Sequence, residues 1–592
     1  MKSDAAVAPN AQRLLWAGFM AIMASGVGFS IRTGILGQWA VDYGFTQTDL
    51  GKITGGGLTG FGIIILLSAL IADKIGYGKL MVSAFVIHIA SAALTLAALS
   101  TTSKPVAFQF LFWGMFLFAV GNGICEAVVN PLVATLFPKE KTHYLNILHA
   151  GWPAGLVVGG LLSTFMVGVP WQYQISLFLI PVGAYGAMLL GQQFPRSEAS
   201  QQGVSYRSML REIGMLGGAV ICLFLGLFVY NDLSMHLSSD STVRLLAAFV
   251  VGGGLWLAFS YMTGFHLGPI LLAVLLVTHA LVGYVELGTD SWIGKITGTI
   301  MEKKQYGQML FVYTSTLMVI LRFFAGPIVE KISPLGLLCL SGILGASGLT
   351  LLGYAPAQGI AFCVVAATVY ALGKTFLWPT MLAVVSEQFP KGGAITIGAI
   401  GGVGMLSAGL LGGPGIGFQQ DSYASADLNH ASRAVFEQYQ APEENKFLIF
   451  KTIGLDGSKV GLLEGYKVKP ADRKGQEIID EGGDKARKVL EVLKKYPAAN
   501  KASIKSQQSL VDWWVGARKT AKDDQKLVTA ATLYGGQMAL RLTAGVPAAM
   551  AVIYLLIMLY FKAQGGYRAK EVYSKHEEAE RMAGGVEGPA EY

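Results

Sequence analysis

The sequence predicts an all-α polytopic membrane protein, with two six-helix bundles and two further helices inserted between them. Three observations support this fold class: an unusually apolar composition, fourteen apolar runs long enough to cross a bilayer, and a repeat relating the first six runs to the last six. Hydrophobic residues make up 53% of the 592-residue chain and charged residues only 14%. A soluble protein carries about 25% charged residues, so most of this chain is predicted to lie in lipid.

The apolar runs have the length of about 20 residues that a helix needs to span the bilayer. They form groups of six, two and six, at 14–38, 50–72, 79–100, 106–136, 144–167, 172–192, then 213–231, 243–263, then 268–298, 306–328, 335–354, 360–388, 393–416 and 533–562.

These runs divide the chain into seven parts. They are a first bundle (1–192), a cytoplasmic linker (193–212), two inserted helices (213–263), five helices of a second bundle (264–416), a polar insertion (417–530), a last transmembrane helix (531–562) and a tail (563–592). Lysine and arginine are concentrated in the short loops after even-numbered spans, which predicts a multi-pass cell (inner) membrane protein with both termini cytoplasmic. The insertion is then extracytoplasmic, either as a helical spacer or as a domain that binds a partner.

The remaining composition excludes several function classes. The net charge of +8 is attributed to membrane orientation rather than to nucleic-acid binding. We find no nucleotide-binding P-loop and no HExxH or Cys/His metal spacing, and the four cysteines are isolated in apolar runs. The sequence therefore predicts no enzyme, cofactor or metal site, and a monomer is expected.

An internal repeat relates the two halves. Asp73-Lys74-Ile75-Gly76 after the second span is matched by Glu330-Lys331-Ile332-Ser333, and Pro131 in the fourth span is matched by Pro379. Duplicated halves around a site at the bilayer midplane are typical of secondary transporters.

The repeated segments resemble the major facilitator superfamily. The stretch around Asp73 and Lys74 is similar to that family's loop between its second and third helices, and Arg322 to Lys331 is similar to the second copy of this loop. The resemblance implies a charge latch at the cytoplasmic span ends, and it assigns gating or structural roles to Asp73, Lys74, Arg322, Glu330 and Lys331.

Within that superfamily, three passages resemble the fucose–galactose–glucose proton symporters. They are Gly121 to Pro131 with Leu145-Asn146, Gly283 to Trp292, and Trp378-Pro379-Thr380 with Gly392-Gly393-Ala394. The resemblance implies a sugar-like solute and a coupling proton.

Four ionisable residues lie within apolar spans, where each costs roughly 2.5–3.5 kcal/mol on insertion scales and is functional by default. They are Arg32, Glu126, Glu286 and Lys374. By the resemblance, their spans line the central cavity, so we expect the four charges to converge there. The acids would bind solute hydroxyls or the coupling proton, and the bases would hold an anionic group or neutralise the acids. A structural salt-bridge network is the alternative.

Further polar residues on the same spans complete the predicted site. Asp290 lies one helical turn after Glu286, and the amides and the aromatic ring that could contact solute are Asn122, Asn130, Asn146 and Trp292.

The sequence thus favours a proton-coupled symporter of a sugar or similar small polar solute, working by alternating access. Two alternatives remain open: an antiporter or uniporter for an anionic solute, and a transporter-fold receptor that senses through residues 417–530.

Overall fold

The computed structural model describes residues 8–43, 45, 47–101, 103–166, 168–233, 240–470, 476–494 and 497–571. The first half of the chain is a helical bundle of long spans, with short helical segments beside several of them. Its helices are α1 (Ala11–Gly34), α2 (Leu36–Tyr43), α3 (Gln47–Ile75), α4 (Tyr77–Ala97), α5 (Lys104–Leu136), α6 (Lys141–His149), α7 (Gly151–Phe165), α8 (Trp171–Ser176) and α9 (Leu179–Leu189).

The inserted helices form a pair beside the second half. The linker helix α10 (Glu198–Gln201) leads into α11 (Tyr206–Phe228), which packs along α12 (Ser241–Thr263). The first turns of α11 are separated from its membrane span at Gly214, where φ is 58°. Only glycine adopts this conformation readily, so Gly214 allows the chain to turn from the linker into the bilayer.

The second half repeats the helical pattern. Its helices are α13 (Ile270–Asp290), α14 (Ile293–Ile300), α15 (Lys304–Arg322), α16 (Ala325–Gly353), α17 (Ile360–Lys374), α18 (Leu377–Gln388), α19 (Gly393–Ser407) and α20 (Gly413–Ala431). The backbone turns at Ser333, within α16. The transmembrane span that α15 begins therefore continues past Arg322 and ends near that turn.

The insertion folds as a small α/β unit. It contains α21 (Arg433–Tyr439), β1 (Asn445–Phe447), β2 (Phe450–Thr452), α22 (Gly457–Glu464), β3 (Tyr466–Pro470), β4 (Gln476–Asp480), α23 (Glu481–Lys494) and α24 (Pro497–Ala517), and it is followed by α25 (Ala521–Ala563). Both strand pairs are antiparallel hairpins. A buried hydrogen bond from Trp514 Nε1 to Asp480 Oδ1, 3.0 Å long, joins α24 to the end of β4.

The insertion is carried on two long helices rather than on loops. α20 continues to Ala431 and α25 begins at Ala521, so the part outside these helices is shorter than the predicted 417–530. We call the membrane face that carries this unit the insertion side and the opposite face the tail side. The predicted tail extends to 592, and its residues 572–592 lie outside the described part of the chain.

Among the described residues, twelve helices are long and apolar enough to cross a membrane. Two further helical stretches, α8 with α9 and α15 with the start of α16, occupy the positions of the predicted sixth and tenth spans. The predicted all-α fold of about fourteen transmembrane helices is therefore confirmed.

Close helix contacts depend on glycine at two crossings. A Cβ atom on Gly155 of α7 would collide with the backbone oxygen of Met23 on α1, and one on Gly283 of α13 would collide with the backbone oxygen of Gly404 on α19. Small residues allow helix backbones to approach in this way in membranes. These crossings hold each half together around the central site.

Candidate functional site

A cavity of about 580 Å³ lies between the two halves and is lined by residues of both. Its walls include Gly34 and Ser163 from the first half, and Asp290 and Lys295 from the second, all near insertion-side helix ends. A second cavity of about 30 Å³ lies deeper, which is enough space for about one water molecule. Phe61, Asn122 and Trp152 line both cavities and separate them.

The halves are joined directly on the tail side. Thr142 Oγ1 donates a hydrogen bond to Glu387 Oε1 at 3.1 Å, and Asn146 Nδ2 donates one to Thr380 Oγ1 at 3.3 Å. Because the large cavity lies on the insertion side and these contacts lie on the tail side, the structure corresponds to a state open toward the insertion.

The deep cavity contains an acid, Glu126, whose close polar neighbours are an amide and an imidazole. Glu126 Oε1 accepts from Asn130 Nδ2 at 3.1 Å and lies 3.6 Å from His149 Nε2. His149 Nε2 is 2.8 Å from Asn130 Oδ1. Because an amide oxygen can only accept, this hydrogen bond requires a proton on Nε2. The three side chains thus form a buried chain from α6 to α5.

Across the deep cavity, Glu286 forms a buried ion pair with Arg322. Arg322 Nη2 lies 3.0 Å from Glu286 Oε1, while its other nitrogens donate to the backbone oxygens of Thr375 and His149. The expected position of Arg322 at a cytoplasmic span end is therefore wrong, since its helical span continues and places the guanidinium at the centre of the molecule. The contact with His149 links the two halves.

Lys374 forms a second buried ion pair, with Asp290. Lys374 is fully buried, whereas Asp290 lines the large cavity. Lys374 therefore neutralises a carboxylate at the cavity wall rather than facing the cavity itself.

Arg32 does not join the other charges. Its guanidinium lies over the rings of Phe118 and Phe178, at 4.0 and 4.8 Å from their centroids, and Nη2 donates to Ser91 Oγ at 2.9 Å. It lines neither of the two central cavities. The prediction that four charges converge is wrong for Arg32, because α1 is rotated so that this side chain points into the first bundle.

The Major Facilitator Superfamily sequence profile matches residues 18–413, which is about two thirds of the chain. The chain belongs to the major facilitator superfamily. A transporter-type arrangement of two bundles around a central cavity agrees with this assignment.

Individual relatives of this superfamily member are distant. It is 24% identical over 186 residues to a cis,cis-muconate transport protein of Acinetobacter baylyi, a match that spans 31% of this chain and only 43% of that relative. A double-tryptophan mutant of XylE covers 72% of this chain and 90% of its own, with 13% identity and a TM-score of 0.50. The Escherichia coli fucose:proton symporter FucP covers 68% and 90%, with 16% identity and a TM-score of 0.44.

The three amides that the sequence selected in this superfamily member lie in different surroundings. Asn122 lines both cavities, and its Oδ1 lies 3.0 Å from His88 Nε2. Asn130 contacts Glu126 as described, and Asn146 belongs to the tail-side junction. Trp292 is absent from both cavity walls, and its Nε1 donates to the backbone oxygen of Gly413 at 2.8 Å. A direct solute contact is therefore not supported for Asn146 or Trp292.

The predicted gating residues lie at the tail side, apart from Arg322. Asp73 Oδ2 accepts from the backbone nitrogen of Ala394 at 3.4 Å, which joins the halves. Lys74 Nζ lies 3.7 Å from the centroid of the Tyr206 ring. Glu330 and Lys331 are exposed near the Ser333 turn.

Sequence reasoning missed His149 and Trp152. Both are on the walls of the deep cavity, and Trp152 Nε1 is buried without a hydrogen-bond partner in the described part of the protein, as is Glu286 Oε2. His149 was detectable as an ionisable residue inside the apolar run 144–167, by the same criterion that selected the other charges.

Proposed function

We propose that this chain is a proton-coupled symporter of a hydroxyl-rich, uncharged solute such as a sugar. The observation that carries the proposal is the charge balance at the deep cavity. Arg322 and Lys374 are each engaged by a carboxylate, while Glu126 is held by the neutral groups of Asn130 and His149.

Glu126 is the proposed carrier of the coupling proton. Among the described residues, Glu126 has no lysine or arginine at ion-pair distance. A buried carboxylate of this kind is costly in a membrane interior, so binding a proton stabilises it. His149 is a poor alternative site for this proton, because its own backbone oxygen accepts from the Arg322 guanidinium. The positive guanidinium beside the imidazole opposes an imidazolium ion.

The solute is proposed to bind in the large cavity, where it meets the deep cavity. Glu286 Oε2 offers an acceptor and Trp152 Nε1 a donor, neither used by the described residues. Asn122 adds an amide. A hydroxyl group can donate to the first atom and accept from the second, and buried polar atoms are expected to be paired. A polyol therefore fits these groups.

An anionic solute is the second candidate, because a relative is a muconate transport protein. It is less favoured because the two buried bases, Arg322 and Lys374, are already paired, so a carboxylate solute could reach them only by displacing Glu286 or Asp290. Lys295 is the exposed base on the large cavity wall, near the mouth. A receptor function is disfavoured because the two halves are joined on the tail side and enclose a central cavity, an arrangement that suits alternating access.

Counterflow in proteoliposomes tests the proposal. The purified full-length chain would be assayed against a panel of sugars, sugar acids, nucleosides and cis,cis-muconate, with internal pH recorded. We expect exchange of at least one neutral hydroxylated solute, and accumulation driven by an inward proton gradient.

Glu437→Gln is the control for replacing an acid by its amide. This exposed carboxylate lies in the insertion, and among the described residues its ion pair is with Arg433 in the same helix. Exchange restricted to dicarboxylates, without pH dependence, would contradict the proposal and support the anionic alternative.

A further inference from the structure

The β1–β2 hairpin of the insertion carries four consecutive apolar residues at its tip, three of them exposed. They are Phe447, Leu448, Ile449 and Phe450, and the exposed fractions of the last three are 46%, 86% and 58%. Exposed apolar residues are common singly on soluble surfaces, but a contiguous apolar tip marks an interaction site.

The base of this tip packs against a transmembrane helix. A Cβ atom on Gly415 of α20 would lie 2.8 Å from Phe447 Cζ and 3.0 Å from Tyr284 Oη. The ring centroids of Phe447 and Phe418 are 5.9 Å apart. Tyr284 is six residues before the end of α13, which is about 9 Å at a rise of about 1.5 Å per residue. Phe447 thus reaches the depth of the membrane-spanning helices.

The tip lies on the side of α20 that is turned away from the large cavity, and none of its four residues lines that cavity. Gly413 lines the large cavity, and Gly415 is two residues further on, a rotation of about 200° around the helix axis. On α13, Ile270, Val274 and Val277 are exposed on the bundle exterior, whereas Tyr284 is half-buried.

A pair of lysines brackets the apolar tip. Lys446 and Lys451 are opposite each other across the two strands. They lie one position further from the tip than Phe447 and Phe450. Glu444 Oε2 lies 3.8 Å from Lys451 Nζ, and both side chains are exposed. Directly opposed like charges are unfavourable, whereas phosphate head groups would neutralise them. Lysine at the head-group level with apolar residues below it is typical of membrane-interface segments.

We propose that the β1–β2 hairpin inserts its tip into the insertion-side leaflet of the bilayer. Its apolar residues contact acyl chains beside α13 and α20, and Lys446 and Lys451 contact lipid phosphates. The insertion is thereby attached to the membrane at a point separate from its two connecting helices.

Site-directed fluorescence in lipid vesicles tests this insertion. The full-length Ile449→Cys variant, labelled with an environment-sensitive fluorophore, would be reconstituted with and without lipids that carry a nitroxide on the acyl chain. Arg433→Cys is the control, because Arg433 is 82% exposed on its side chain and follows the end of α20 at Ala431, which is about 24 Å beyond Gly415. Unsubstituted protein gives the background label on the four native cysteines.

We expect nitroxide quenching at position 449 at least about threefold stronger than at position 433, with blue-shifted emission, because an inserted tip reaches the acyl region. Equal, weak quenching at both sites would overturn the proposal. Blue-shifted emission at 449 that depends on protein density and not on nitroxide lipid would also overturn it, and would indicate a protein partner.

In the Lys446→Gln/Lys451→Gln variant, the excess quenching at 449 should fall at least about twofold in anionic vesicles. Unchanged quenching would remove the lysines from the contact.

Discussion

At the scale of single residues, Glu126 is the acid on which the proposed coupling depends. Glu126→Gln keeps the shape and the hydrogen bond from Asn130 but cannot release a proton. We expect proton-driven accumulation to fall by about 10²-fold or more, while solute exchange across equal pH persists. Uptake against a gradient and counterflow in the same vesicles separate the two effects. Wild-type accumulation in this variant would exclude Glu126 as the proton carrier.

The Lys374–Asp290 pair makes a prediction about stability. Lys374→Met leaves Asp290 without its base, and breaking a buried ion pair costs about 3–5 kcal/mol. Lys374→Met with Asp290→Leu removes both charges, so we expect it to recover most of the lost thermal stability in detergent. Lys374→Met with Glu286→Gln should not recover it, because Glu286 is paired with Arg322. Equal recovery in the two double variants would contradict the observed pairing.

The two arginines show what sequence reasoning can establish for individual residues. Arg32 was recognised as a charge within an apolar span, whereas Arg322, six residues before the end of the predicted span 306–328, was assigned to the span end. The direction in which each side chain points could not be predicted, because successive residues are rotated by about 100° around the helix axis. Arg32 points to Phe118 and Phe178 inside one bundle, and Arg322 points to Glu286. The acids Glu126 and Glu286 both line the deep cavity.

At the scale of elements, the apolar runs predicted the spans well because burial in lipid depends on run length and composition. The two hairpins of the insertion were not predicted, since strands of three to five residues give little periodicity. The extension of α20 to Ala431 was also missed, because polar residues after Ile416 end the apolar run while the helix continues.

The residues after α25 form a strap over the tail-side junction, which predicts a regulatory effect. Tyr567 Oη donates to Glu387 Oε2 at 2.6 Å, and Glu387 Oε1 accepts from Thr142 of the first half. Tyr567→Phe removes one hydrogen bond worth about 1 kcal/mol. It should raise maleimide labelling of Ser386→Cys, a buried tail-side reporter, about three- to tenfold, because the closed junction becomes less stable.

The control for this experiment is Tyr560→Phe, on the exposed face of α25. It removes the same hydroxyl without a contact to the junction. If Tyr560→Phe and Tyr567→Phe raise labelling equally, the strap does not stabilise closure of the tail side.

At the scale of the whole molecule, the two halves meet differently on the two membrane faces. Direct side-chain hydrogen bonds join them on the tail side, whereas a cavity of about 580 Å³ separates them on the insertion side. The repeat in the sequence predicted two related halves. It could not predict which face is closed, because both states of an alternating-access cycle use the same sequence.

A disulfide across the tail-side junction would test whether this closure belongs to a transport cycle. Asn146 Nδ2 and Thr380 Oγ1 are 3.3 Å apart on opposite halves, so cysteines at both positions would face each other across the junction. Oxidation of Asn146→Cys/Thr380→Cys should abolish uptake, with residual activity below about one tenth, because a closed junction cannot release solute to the tail side. Reduction should restore uptake, and each single variant should be insensitive to oxidant. Solute binding from the insertion side should survive oxidation, since the bond holds the cavity open to that side. Full transport in the oxidised double variant would mean that the halves do not separate at this junction. Alternating access by movement of one half against the other would then have to be rejected for this chain.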